Sequence, residues 1–124
     1  MVSSTSSGQA FNQTRQVLLA TALVPADTFW LRLRGLIGTN DFGNGSGLWI
    51  VPCHGVHTWG MRFPIDVIYL DRARTVIHIE SNLKPWRFAP VKIKAVSVLE
   101  LPCQTVLQTG TALGDKIEIT WQEN

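Results

Sequence analysis

Cys53-His54-Gly55-Val56-His57 sets a thiol and two imidazoles close together, and these are the ligand types that zinc and copper prefer. If the stretch is extended, Cys53 and His57 share one face and His54 points to the other, so at most two ligands converge locally. A zinc site needs three or four protein ligands, and His78 or Asp66 could complete the set only through the fold. The same residues permit a second chemistry, a Cys53 thiolate made available by a neighbouring imidazole base. No Gly-x-Cys elbow accompanies it, and a small, inert, buried cysteine fits the same pattern. The pattern leads us to expect no metal and no cofactor.

Two acids are set in apolar surroundings. Asp66 stands between Ile65 and Val67, and Glu100 lies inside Val96 to Leu101. An unpartnered carboxylate there is costly, so each must sit at a strand end or be held by donors. Either both line a polar pocket, or each accepts backbone N–H bonds or pairs with Arg62 or Arg34. For Asp66 the preceding Phe63-Pro64 turn suggests a direction, toward Thr58 and Arg62. Lys84-Pro85-Trp86-Arg87-Phe88 interleaves cations with aromatic rings, a composition that can stack on a base or sugar or lie over the end of a barrel.

The elements that must position these groups follow from patterning. Residues 1–15 are small and polar and read as a flexible tail, leaving 16–124 as a single β domain. Val17 to Val24 reads as a buried strand. Phe29, Trp30, Leu33 and Leu36 recur near helical spacing, which predicts one short helix near 25–36. Thr39 to Gly47 is a glycine-rich loop. From Leu48 onward, short apolar runs alternate with turn signals, which predicts strands at 48–51, 55–61, 65–70, 75–80, 94–101 and 116–121. Asp71-Arg72-Ala73-Arg74 closes a hairpin in which Val67, Tyr69, Val76 and His78 share one face. The fold class is mainly β, a single-domain sandwich or barrel.

Composition narrows the functional classes. The chain has 124 residues, 45% of them hydrophobic and 16% charged, with a formal net charge of +2. That is ample core material for one domain. Lys and Arg are spread along the chain without a run, which argues against nucleic acid as a partner. The apolar stretch at 17–24 is far too short to span a membrane and makes a poor signal peptide, so we expect no membrane partner, a cytoplasmic location and no export. Two cysteines make no disulfide scaffold.

The ordered set Arg34-Gly35-Leu36-Ile37-Gly38, Gly47-Leu48-Trp49-Ile50, His57 through Asp71, Val98-Leu99-Glu100-Leu101-Pro102 and Gly114-Asp115 resembles the prokaryotic domain of unknown function 192 family over roughly residues 17 to 120. The block carrying Thr58, Met61, Pro64 and Asp66 is its most specific part. Two positions depart from the family pattern: Cys103-Gln104 follows Leu-Pro where Ala-Gly is usual, and Gly60 stands where an aromatic residue is frequent. The resemblance implies a compact β-sandwich or barrel and brings no reaction with it. Two functional readings stand. In one, the chain is a small binding or accessory module in which Thr58, Trp59, Met61, Arg62, Asp66 and Glu100 line a site for a small molecule or a partner peptide. In the other, it is a small hydrolytic or thiol-dependent enzyme using Cys53, His54 and His57, with or without a metal.

Overall fold

The computed structural model describes residues 7–25 and 43–122. In chain order the elements are β1 (Ser7–Asn12), β2 (Val17–Pro25), β3 (Ser46–Ile50), β4 (Ile65–Leu70), β5 (Val76–Leu83), β6 (Ser97–Pro102), a short helix α1 (Thr105–Thr109) and β7 (Ile117–Gln122). The strands form one seven-stranded sheet in the order β5-β4-β6-β3-β2-β1-β7. Pairing is antiparallel except between β2 and β3. The mainly β expectation is met. The helix expected near 25–36 lies outside the described residues, apart from Pro25, which ends β2.

Ile-Asp-Val-Ile-Tyr-Leu in β4 is buried at all six positions, so this strand must be covered on both faces. Two clusters provide the cover. Ile68, Leu70, Leu99 and Leu101 pack with Ala10, Leu19, Leu23, Val76, Ile117 and Ile119. These residues come from both ends of the strand order, so the sheet curls until its inner face closes on itself. At one corner the two edges meet. Val76 N–H donates to Asp115 O (2.8 Å) and Ile117 N–H to Arg74 O (3.0 Å). The curl stops short of a closed barrel. On the outer face, Val67, Tyr69, Val98, Leu48 and Ile50 are covered by Val56, Met61, Phe63, Ala89 and Ala95 from the connecting segments.

The hairpin at 71–74 forms as expected. Asp71 Oδ1 accepts N–H bonds from Ala73 and Thr75, both 2.9 Å, and Arg74 takes φ 62° to turn the chain. A register shift between Tyr69 and Leu70 then moves Val76 to the inner face while His78 stays opposite Tyr69, so the simple alternation across the turn is broken. The strand expected at 55–61 is instead loop.

The tail expectation is corrected for residues 7–12. β1 is hydrogen-bonded on both sides, to β2 and to β7. Its low hydropathy is tolerated because both edges are satisfied and Ala10 faces the inner core. Gly8 is needed there, since a Cβ would run into the Trp121 ring. Asn12, fully buried, donates to Thr111 Oγ1 (3.1 Å) and Asp115 Oδ2 (2.9 Å). Arg15 Nε donates to the same Asp115 oxygen at 2.8 Å. Burial alone would raise the Asp115 carboxyl, but the bonds from Arg15, Asn12 and Ala112 N–H outweigh it and hold the group below its ordinary value.

Two expectations follow. Deleting residues 1–15 removes an internal strand and abolishes cooperative thermal unfolding; a truncated chain melting at the parent temperature would restore the tail reading. Asp115→Asn leaves buried donors badly matched and costs about 1–3 kcal/mol at neutral pH. Because the folded carboxyl titrates below the unfolded one, its stabilisation is complete above about pH 4 and is lost as pH falls through the folded value. Urea titrations across pH should therefore show the gap between parent and variant closing on acidification.

Candidate functional site

The outer cover is a ribbon made from two connections, residues 51–64 and 84–96. Thr58 N–H donates to Arg87 O (2.9 Å), Ala89 N–H to Val56 O (2.8 Å) and Lys92 N–H to His54 O (2.9 Å). Thr58 is its pin. The buried hydroxyl donates to Lys84 O (2.6 Å) and accepts Arg87 N–H (2.9 Å), while Thr58 O accepts Trp86 N–H (3.0 Å). Tyr69 fastens the far end by donating its hydroxyl to Pro90 O at 2.6 Å. Burial, then the Glu80 carboxylate and Cys53, push the Tyr69 phenol above its ordinary range, so it remains a donor. His78 stands edge-on to the Tyr69 ring, and its Nε2 lies 2.6 Å from Glu80 Oε2.

Because Val56, Thr58 and Ala89 point inward, His57, Trp59 and Phe88 are carried on the outside. Their rings gather, with centroids 5.4 Å apart for His57 and Trp59, 5.0 Å for Trp59 and Phe88, and 6.4 Å for His57 and Phe88. Trp59 rides on a turn closed by Met61 N–H to Thr58 O (3.2 Å), with Gly60 at φ 83°, the left-handed third position that a type II turn requires. That geometry explains why glycine suits position 60 here. Beside this cluster Trp86 is held at φ 62°, a conformation that bulky residues avoid, and is 63% exposed.

The residues expected to form one pocket are distributed otherwise. Trp59 and Arg62 are exposed on the ribbon, while Thr58 and Met61 are buried beneath it. Glu100 pairs with Leu48 and Val67 and therefore shares the outer face with them, whereas Asp66 pairs with Leu101 and faces the other way. Asp66 does not turn toward Thr58 and Arg62. Its Oδ1 accepts Asn82 N–H and its Oδ2 accepts Val106 N–H, both at 2.8 Å. Asp66 thus ties β5 to the first turn of α1, doing the capping that Gln104, at φ 80°, does not perform with its own side chain. It also lines a shallow cleft of about 270 Å³ with Ser81, Asn82, Gln104, Val106 and Leu107. Arg34, the other cation weighed as a partner, lies outside the described residues.

Cys53, His54 and His57 are engaged separately. Cys53 Sγ donates to Gly55 O (3.1 Å), His54 Nδ1 lies 2.7 Å from Ala95 O, and His57 joins the aromatic cluster. Among the described residues, no group of three or more His, Cys, Asp or Glu is placed to hold a metal ion. Neither Cys53 nor Cys103 forms a disulfide.

The sequence reading singled out Lys84 to Phe88 in the second connection but passed over its continuation to Lys94. Phe88 (67%), Val91 (71%) and Ile93 (86%) join Trp59 and Trp86 as apolar side chains left in water. The signal that could have found them is charge segregation. Residues 51–65 and 81–99 contain Arg62, Lys84, Arg87, Lys92 and Lys94, five of the eleven cations, and none of the nine carboxylates.

Asp66→Asn should destabilise the fold by about 1–3 kcal/mol, since an amide can accept at one terminal atom and would turn a donor toward the other N–H. Loss of amide protection at Val106 and Asn82 in hydrogen exchange locates the defect; an unchanged melting temperature would show that the clamp contributes nothing.

Comparison with known proteins supplies a family and no activity. A sequence profile described as "Uncharacterized ACR", that of the domain of unknown function 192 family, matches residues 10–119. A UPF0127 protein of Thermococcus sibiricus is 32% identical over 116 residues, covering 90% of this chain and 73% of the relative. One from Pyrococcus abyssi is 29% identical, covering 90% and 97%. Among solved structures, a protein of unknown function from Novosphingobium aromaticivorans superposes with TM-score 0.75 at 20% identity, covering 90% of this chain and 82% of that one. A protein of Sinorhizobium meliloti described as a "putative transcription regulator" gives TM-score 0.74 at 21% identity, covering 95% and 96%. At such identities the structures establish a shared fold. On the extent of the profile match, this chain belongs to the domain of unknown function 192 family.

Proposed function

We propose that the chain is a small binding module whose working surface is the outer ribbon, and that it engages a negatively charged partner having apolar parts. The observation that carries this reading is the coincidence, on one covering strip, of exposed Trp59, Trp86 and Phe88 with five cations and no carboxylate. Exposed apolar groups rimmed by charge mark interaction sites, and the field of like charges selects an anionic partner. Of the residues expected at a binding site, Trp59 and Arg62 contribute to this surface directly, and Thr58 and Met61 act by holding it in place. Thr58 and Tyr69 present the rings on a hydrogen-bonded ribbon, which lowers the ordering cost of binding. The thiol-dependent alternative has less support, because nucleophile, base and oxyanion donors must converge and Cys53, His54 and His57 point to different partners.

Heparin is a suitable soluble polyanion to test the charge of this surface. Arg62→Glu with Arg87→Glu should elute from a heparin column at distinctly lower salt than Arg72→Glu with Lys116→Glu, which changes net charge equally outside the two ribbon segments. Equal elution of the two pairs would remove the ribbon as the anionic binding surface.

A further inference from the structure

We infer that the partner of this surface is an anionic phospholipid bilayer, against which the ribbon docks at the interface without crossing it. The inference rests on the ribbon being the binding surface and names its occupant.

The ribbon presents two apolar tips of the same construction. At the first, Trp86 projects from a turn with Lys84 and Arg87 on either side, its N–H fixed to Thr58 O at 3.0 Å. At the second, Ala95 N–H donates to Lys92 O (3.0 Å), closing a turn that carries Ile93 outward at 86% exposure between Lys92 and Lys94. Between the tips run Phe88 and Val91, 67% and 71% exposed. Ile77, Val91 and Ile93 also line a groove of about 370 Å³ with the two lysines.

An apolar side chain bracketed by cations suits a bilayer boundary. The ring or branched chain enters the acyl region, and each Lys or Arg stays at phosphate level on its flexible stem. Nucleic acid would favour rings with open faces, yet the most exposed residues here are aliphatic and offer no stacking surface. A folded protein partner would have to supply a matching socket for each protruding tip, whereas a fluid bilayer accommodates both. Charge fits as well, since the strip carries cations alone while the chain as a whole is only +2. No helix among the described residues is long and apolar enough to cross a membrane, which is compatible with interfacial contact.

The test is co-sedimentation of the full chain with vesicles of phosphatidylcholine alone and of phosphatidylcholine containing about one-third phosphatidylglycerol. The chain should pellet with the anionic vesicles only, with a blue shift of tryptophan emission. Ile93→Asp and Trp86→Ala should each lower partitioning about tenfold, and Lys92→Gln with Lys94→Gln about thirtyfold. Exposure of these side chains makes folding of the variants straightforward to confirm by thermal melting. Absence of parent binding to anionic vesicles overturns the proposal. If heparin binding through Arg62 and Arg87 persists in that case, the binding surface stands and its partner is a soluble anion; if both fail, the reading of the ribbon falls too. Binding unchanged in Ile93→Asp and Trp86→Ala also overturns it, because charge alone would then account for the association. Tighter binding to a single-stranded oligonucleotide, lost in Trp86→Ala and kept in Ile93→Asp, overturns it in favour of nucleic acid.

Discussion

A strand that is apolar on both faces cannot be left at the surface of a molecule, and β4 imposes that condition here. Its inner side chains, Ile68 and Leu70, are covered because the sheet curls and brings β1, β2 and β7 round to meet them. Its outer side chains, Ile65, Val67 and Tyr69, have no second sheet among the described residues and are covered by the connections between strands. Each such side chain is worth roughly 1.5–3 kcal/mol when buried, so the connections are held down by a core of their own. Loops fixed in this way make a rigid platform, and the candidate site is built on the platform's far side.

Hydrophobic burial brings these segments into contact but is not directional, and a few polar side chains set their positions. Thr58 and Tyr69 fix the ribbon to its partner segment and to the sheet, Asp66 joins β5 to α1, and Asp115 gathers Asn12, Arg15 and Ala112 where the two sheet edges meet. Thr58, Asp66 and Asp115 are buried and each takes more than one bond, so removal of one partner strands another. A family pattern rich in Thr58, Asp66 and the Gly-Asp pair at 114–115 is therefore a pattern of ties between elements. The left-handed conformation at 104 gives a physical reason for the glycine usual there, since Gln104 adopts φ 80° at a cost that glycine does not bear.

β4 and β6 were legible because their unbroken apolar runs agree with double-sided burial, and the other strands from β2 to β7 because apolar runs bounded by turn signals suit a half-buried strand. β1 was not, since its composition is that of a loop and its stability comes from neighbours on both sides, Thr120 and Ile119 among them. The α1 turn was missed for a related reason: at five residues it is too short for periodicity, and its N-terminal cap is supplied from Asp66, forty positions away. Asp66 could be identified as held by donors, but not which donors, because a register sets the face and only the fold sets the partner. The same limit applied to Glu100, which the alternation of β6 puts on the opposite side of the sheet from Asp66. For Cys53, His54 and His57 the spacing let at most two converge locally, and on the ribbon Cys53 bonds Gly55 O, His54 lies against Ala95 O and His57 stands against Trp59 and Phe88.

The exposed strip shows a division of labour that bears on how the surface could change. Its buried members, Val56, Thr58, Met61 and Ala89, carry packing and hydrogen bonds, so substitutions there act through stability. Its exposed members, Trp59, Trp86, Phe88, Val91 and Ile93, leave apolar area in water and gain little from the fold. Trp86 in addition holds a backbone conformation worth of order 1–3 kcal/mol of strain. Apolar area left in water on a rigid support is what the proposed binding role requires, since contact with a partner would offset its cost. On that proposal the charge of the strip selects anionic surroundings, and the apolar tips gain only where those surroundings have depth.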